Sequence, residues 1–156
     1  MLILLCSMGC GNEPQKTLRV GLMPDTDSLP FIIAREKGYF DEEKVAVELV
    51  PFKSAMDRDA ALQSGSLDAA VSDVLAAAFL KAGGFDVKIT SSTVGSYKLM
   101  AGKDVGSIKE LAGKEVAISK GTIIEYVTDQ IMTKENLADK VDKVFIPQIP
   151  TRLEML

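Results

Sequence analysis

The sequence predicts an α/β fold built on a parallel sheet, and three observations carry that reading. Short apolar stretches alternate with helix-patterned ones, and their spacing is that of strand–helix–strand crossovers. Three strand-to-helix junctions also end in similar polar turns, Asp27-Ser28, Lys53-Ser54 and Ser72-Asp73. Strands joined by helical crossovers lie parallel, so the three turns are expected along one sheet edge, where such sheets bind ligands.

Leu18, Val20 and Leu22 alternate with Arg19 and Gly21, the period of a half-buried strand, whereas Phe31, Ile32, Ile33 and Ala34 fall on a helix face. Between them, Asp27 or Ser28 is expected to accept hydrogen bonds from the first helix amides. Pro30 suits a first turn that needs no amide there, and Gly38 supplies a left-handed stop. Residues 45–52 are expected as a second strand and 55–64 as a helix closed by Gly65. A third strand follows over 67–71, and then an Ala-rich helix over 74–82 closed by Gly83-Gly84.

Residues 87–93 are expected to form a further strand that dissolves into Ser91-Ser92-Thr93-Val94-Gly95-Ser96, with 97–101 as another extended run. The pattern then restarts: a short helix over 107–112, a strand over 115–119, the turn Lys120-Gly121-Thr122 and a helix over 123–132. A strand over 141–146 follows, and a helix opens at Pro150-Thr151.

Hydrophobic residues make up 47% of the chain and charged residues 26%, enough apolar material for a packed core and too much for disorder. Eighteen Lys and Arg against 22 Asp and Glu give a net charge of −4, which argues against nucleic acid as partner. There is no histidine, and the two cysteines fall at positions 6 and 10. Histidine acid–base catalysis, a Cys-His nucleophile and a typical zinc set are therefore missing, and no metal or cofactor is expected. The remaining carboxylate pairs, Asp25 with Asp27 and Asp57 with Asp59, are read more simply as a solvated turn and a solvated helix face.

The N-terminus, apolar over residues 1–5 and continuing Cys6-Ser7-Met8-Gly9-Cys10, resembles the end of a bacterial lipoprotein signal peptide. Cys10 matches the lipidated cysteine, with Gly9 as the small residue before it. Ser7 stands where leucine is usual, and no basic residue precedes the apolar run. Residues 1–10 are thus expected to be a signal peptide and 11–16 a linker, with the mature protein lipid-anchored to the outer, extracytoplasmic face of the cell membrane.

Three blocks in order, LRVGLMPDTDSLPFIIAREKGYF, VELVPFKSAMDRDAALQSGSLDAAVSD and GSIKELAGKEVAISKGTIIEYVTDQIM, resemble the solute-binding proteins of ABC importers. The similarity is to the SsuA/THI5-like (NMT1) group, which includes nitrate, taurine, sulfonate and thiamin-pyrimidine binders. It implies a type II periplasmic-binding-protein-like fold: two α/β lobes joined by crossing strands, with the ligand between them. Members are about twice this long, so residues 17–96 would be the first lobe and 97–156 the crossover and start of an incomplete second lobe.

The resemblance implies a monomer that captures a small organic solute and delivers it to an ABC permease and its ATPase. Closure would be about a hinge at residues 91–96. The turns would supply the contacts: Asp27, Ser28, Ser54, Ser72, Asp73, Gly121 and Thr122, with Met23 and Phe52 as apolar walls. The sign of the solute stays open, because helix N-termini favour an anion while Asp27 and Asp73 favour an amine or protonated heterocycle. Lys53, Lys120 and Arg152 lie near the turns in sequence and would reverse that preference. The alternative is a biosynthetic enzyme on the same scaffold, of the thiamin-pyrimidine or menaquinone type.

Overall fold

The computed structural model describes residues 16–156. The expected signal peptide, linker residues 11–15 and Cys10 lie outside the described residues. The first half holds strands β1 (Leu18–Leu22), β2 (Val47–Pro51) and β3 (Ala69–Ala70), paired in parallel in the order β2-β1-β3. Leu18 lies opposite Val47 and Leu22 opposite Pro51, while Val20 and Gly21 face Ala69 and Ala70. The connecting helices are α1 (Leu29–Glu36), α2 (Tyr39–Glu42), α3 (Ala55–Gln63) and α4 (Val74–Ala82). Val20, Leu22, Met23, Leu67 and Leu80 are buried in this half.

The second half has its own parallel pair, β4 (Glu115–Ile118) beside β5 (Asp142–Phe145), with α5 (Ile123–Lys134) between them and α6 (Ile149–Glu154) after. Its core is Leu111, Val116, Ile118, Met132 and Leu137. The halves touch where α4 meets α5 and where the Ile149 amide donates to the Lys53 carbonyl at 3.1 Å. No helix among the described residues is long and apolar enough to cross a membrane.

Most expected elements form within two residues of their predicted ends. Gly38 sits at φ +77°, a conformation open to glycine, and separates α1 from the unpredicted single turn α2. One expectation is corrected. Residues 87–93, expected as a strand, belong to none: among the described residues no strand pairs with them, and 97–101 likewise lie outside both sheets. A strand is completed by its neighbours, so local apolar alternation alone cannot make one. The short helix expected over 107–112 forms over Ile108–Leu111 with 3-10 geometry. The Glu110 carboxylate accepts from the Gly106 amide and the Ser107 hydroxyl, both at 2.9 Å, and pins the segment into that tight turn.

The sheet edge opposite the turns is tied by Asp68. Its Oδ2 accepts from the Arg19 amide and Nε, both at 3.0 Å, and Lys16 Nζ lies 2.9 Å from Oδ1. The side-chain and backbone bonds from Arg19, followed by Lys16, hold the carboxyl well below the usual carboxylate range. A depressed folded-state value stabilises the fold above the unfolded pKa, about 4, and that contribution fades as pH falls toward the folded value. Asp68→Asn is therefore expected to lower the urea midpoint at pH 7, with the gap to the parent narrowing as pH drops below about 4. A gap unchanged from pH 7 to pH 3 would count against this role for the charge.

Candidate functional site

The parallel register delivers three turns side by side at the C-terminal ends of β1, β2 and β3. Their alignment continues past the strands: the Phe52 amide donates to the Leu22 carbonyl and the Val71 amide to the Gly21 carbonyl, both at 2.8 Å. The expected edge is present.

In the first turn a 3-10 turn, Thr26–Ser28, precedes α1, and the cap is Asp25. Asp25 Oδ1 accepts from both the Ser28 amide and the Ser28 hydroxyl at 3.1 Å, and the Met23 amide donates to Ser28 Oγ at 3.1 Å. Ser28 is 0% exposed. Its hydroxyl is thus engaged within the turn, and neither Ser28 nor Asp27 caps the helix as sequence predicts. The extra turn moves the capping position back to Asp25, three residues before Ser28. That frees Asp27, whose Oδ1 accepts from Thr93 Oγ1 at 2.7 Å.

In the second turn Ser54, 1% exposed, accepts from the Asp57 amide at 3.2 Å and donates to Asp57 Oδ2 at 2.7 Å. In the third, Asp73 Oδ1 caps α4 through the Ala76 amide at 2.9 Å, and Ser72 is exposed beside it. Of the expected walls, Met23 is buried and Phe52 half-buried, its ring lying where a side chain at Gly21 would point.

Gly121 and Thr122 occupy the corresponding turn between β4 and α5. Gly121 takes φ +70°, and its amide donates to the Glu125 carboxylate at 2.6 Å. Thr122 Oγ1 donates to the Ser119 carbonyl at 2.9 Å. Among the described residues, no hydrogen bond or ion pair joins Gly121 or Thr122 to Asp27 or Asp73.

Tyr97 shows how the carboxylates of the first and third turns are grouped. Its phenol is pushed above its ordinary value, first by burial and then by the negative charges of Asp73, Asp27 and Asp25. Three carboxylates from two turns thus share one local field with an aromatic ring from residues 88–101. The neighbouring basic groups do not offset it evenly. Arg152 Nη1 donates to the carbonyls of Ile146 at 2.7 Å and Pro147 at 3.2 Å, and Lys120 Nζ lies 5.3 Å from the centre of the Phe145 ring. Both point into the second half, although Lys120 is itself exposed; Lys53 is the exposed cation of the second turn.

Sequence reasoning missed Asp25, Thr93 and Tyr97. The three-residue spacing from Asp25 to Ser28 was an available signal for the cap, whereas the contacts of Thr93 and Tyr97 span most of the first half and leave no local pattern. Two cavities, of about 250 and 290 Å³, lie elsewhere: one beside Thr17, Arg35 and Phe40, the other beside Asp129, Met132 and Lys143. Among the described residues no group of three or more His, Cys, Asp or Glu side chains is arranged to hold a metal ion.

Comparison with known proteins places this geometry in a wider set. A family model described as NMT1/THI5 like matches residues 25–153. The alkanesulfonate-binding protein SsuA from Xanthomonas axonopodis pv. citri, solved bound to MOPS, is 19% identical with a TM-score of 0.63, over 90% of this chain and 50% of that one. The periplasmic aliphatic sulphonate binding protein SsuA from Escherichia coli is 17% identical with a TM-score of 0.58, over 86% and 45%. The Candida albicans CA3427 gene product, described as exhibiting the generic periplasmic binding protein structural fold, is 18% identical with a TM-score of 0.57, over 86% and 46%. No curated protein sequence matches significantly. The chain therefore has the periplasmic-binding-protein fold and spans about half the length of the solved structures it matches.

Proposed function

Because this chain belongs to the NMT1/THI5-like family, we propose that it is part of a solute-binding protein that captures a small organic molecule at the three-turn edge and delivers it to an ABC permease and its ATPase. The fold and the sulfonate binders that share it support a binding role. In this reading the protein works outside the cytoplasm, lipid-anchored through Cys10, as a monomer. Residues 17–96 act as one lobe and 97–156 begin the other, and the two close about residues 91–96 with the solute selecting the closed form.

The observation that carries the solute class is the placement of Asp25 and Asp27 in the first turn and Asp73 in the third, on neighbouring strands of one sheet edge. A sulfonate set on this edge would meet three carboxylates. A protonated amine or protonated heterocycle would instead pair with Asp27 and Asp73 and stack on the phenol, a combination favourable to cations. Ser72 is the exposed hydroxyl beside them, and Gly121-Thr122 belongs to the opposing lobe. Ser28 and Ser54, with their hydroxyls engaged inside their turns, shape the edge from below.

A melting-temperature panel of primary amines and aminopyrimidines against ethanesulfonate and nitrate tests this. The cationic class is expected to raise the melting temperature. Asp27→Asn and Asp73→Asn are each expected to weaken binding about tenfold or more, the cost of losing one charge-assisted contact. Asparagine keeps the cap on α4 and the acceptor for Thr93, so the substitution isolates the charge. A melting shift with the anions alone, or one untouched by both substitutions, would overturn the site.

A further inference from the structure

Residues 88–101 make no backbone–backbone hydrogen bond among the described residues and are exposed throughout. One hydrogen bond ties this stretch to the rest of the described chain: Thr93 Oγ1 donates to Asp27 Oδ1 at 2.7 Å, across 66 positions of sequence. Thr93 and Gly95, two apart, both face the Asp27 carboxylate, and Tyr97, two further on, lies in the field of the same group. Gly95 confirms the direction, because a Cβ built there would lie 3.8 and 3.9 Å from the two Asp27 carboxylate oxygens. Val94, between them, is fully exposed on the outer face.

We propose that residues 92–97 form a strap across the carboxylate edge, with Thr93 as the positioning residue whose hydroxyl, seated on Asp27, holds Tyr97 in place as the aromatic wall of the site. The strap passes close over Asp27 at Gly95, where a large side chain would lift it away. The field of Asp25, Asp27 and Asp73 at the Tyr97 phenol is what a strap lying inward produces. What the strap covers rests on the solute-binding reading, but its placement does not, and the test uses no solute.

Thr93→Val removes the donor at nearly constant shape, and Thr93→Ser keeps it. In the valine variant, trypsin is expected to cut after the exposed Lys98 roughly fivefold faster, as loss of one hydrogen bond to a charged acceptor permits. The Tyr97 phenol, followed as the alkaline difference spectrum between each protein and its Tyr97→Phe counterpart, is expected to titrate closer to its ordinary value near 10. The serine variant is expected to match the parent in both. A valine variant indistinguishable from the parent in both readouts overturns the strap, and so does a serine variant that behaves like valine. Failure of the amine panel leaves these readouts unaffected, so the two readings fail separately.

Discussion

Replacing Gly21 with valine is expected to destabilise the protein by about 2–3 kcal/mol, read as a lowered urea midpoint with an unchanged slope. A Cβ at this position would lie 2.6 Å from Leu67 Cδ1, 3.3 Å from Arg58 Cγ and 3.4 Å from Phe52 Cε2. Leu67 is buried, so its methyl has little room to withdraw, and Arg58 is held by its own hydrogen bonds. Valine adds two further methyl groups into the same space. The middle of β1 is thus glycine because three side chains close over it; in a strand with open space above it, glycine would be the weaker choice. Leu67→Ala in the Gly21→Val background is expected to recover part of the loss, since it removes the closest atom. A midpoint unmoved by Gly21→Val, or a double variant whose cost is the simple sum of the two, would show that the contact carries no strain.

That contact also marks where local sequence information ends. The strand Leu18–Leu22 and the helix Val74–Ala82 are legible because alternation, a capping aspartate and a closing glycine pair all agree within a few residues. The first turn is legible only as a turn. Asp25, Asp27 and Ser28 all have cap chemistry, and a single 3-10 turn decides among them. Arg58 stands between Asp57 and Asp59 and reads as a solvated face, yet it is 4% exposed, because the space above Gly21 admits its stem. Where the nearby basic side chains point was equally hidden. Lys120 and Arg152 are near the turns in sequence but are aimed at Phe145 and at the carbonyls of Ile146 and Pro147. The strap is the extreme case, since Thr93 meets Asp27 only after β2, β3 and four helices have folded between them.

Arg58→Met is expected to cost about 2–4 kcal/mol and to disturb the third turn more than the first. Methionine preserves most of the stem that packs over Gly21 but removes the guanidinium, whose Nε and Nη2 donate to Asp59 Oδ1 at 2.9 and 2.8 Å and whose Nη1 donates to the Val71 carbonyl at 3.1 Å. The Asp59 carboxylate is about one-quarter exposed and water can recover much of its loss, so Asp59→Asn is expected to cost less than Arg58→Met. The Val71 carbonyl is different. Its residue immediately precedes Ser72-Asp73, and the bond from Arg58 fixes where that turn leaves β3. Arg58→Lys keeps a charge but not the fork and is expected to fall between parent and methionine. If the third turn depends on this bond, Arg58→Met will also weaken the melting shift produced by the amine panel, whereas a Leu80→Ala variant of matched stability will retain it. Equal loss in both would assign Arg58 to the core alone; loss confined to Arg58→Met would make this buried cation the support that keeps Asp73 in register with Asp27.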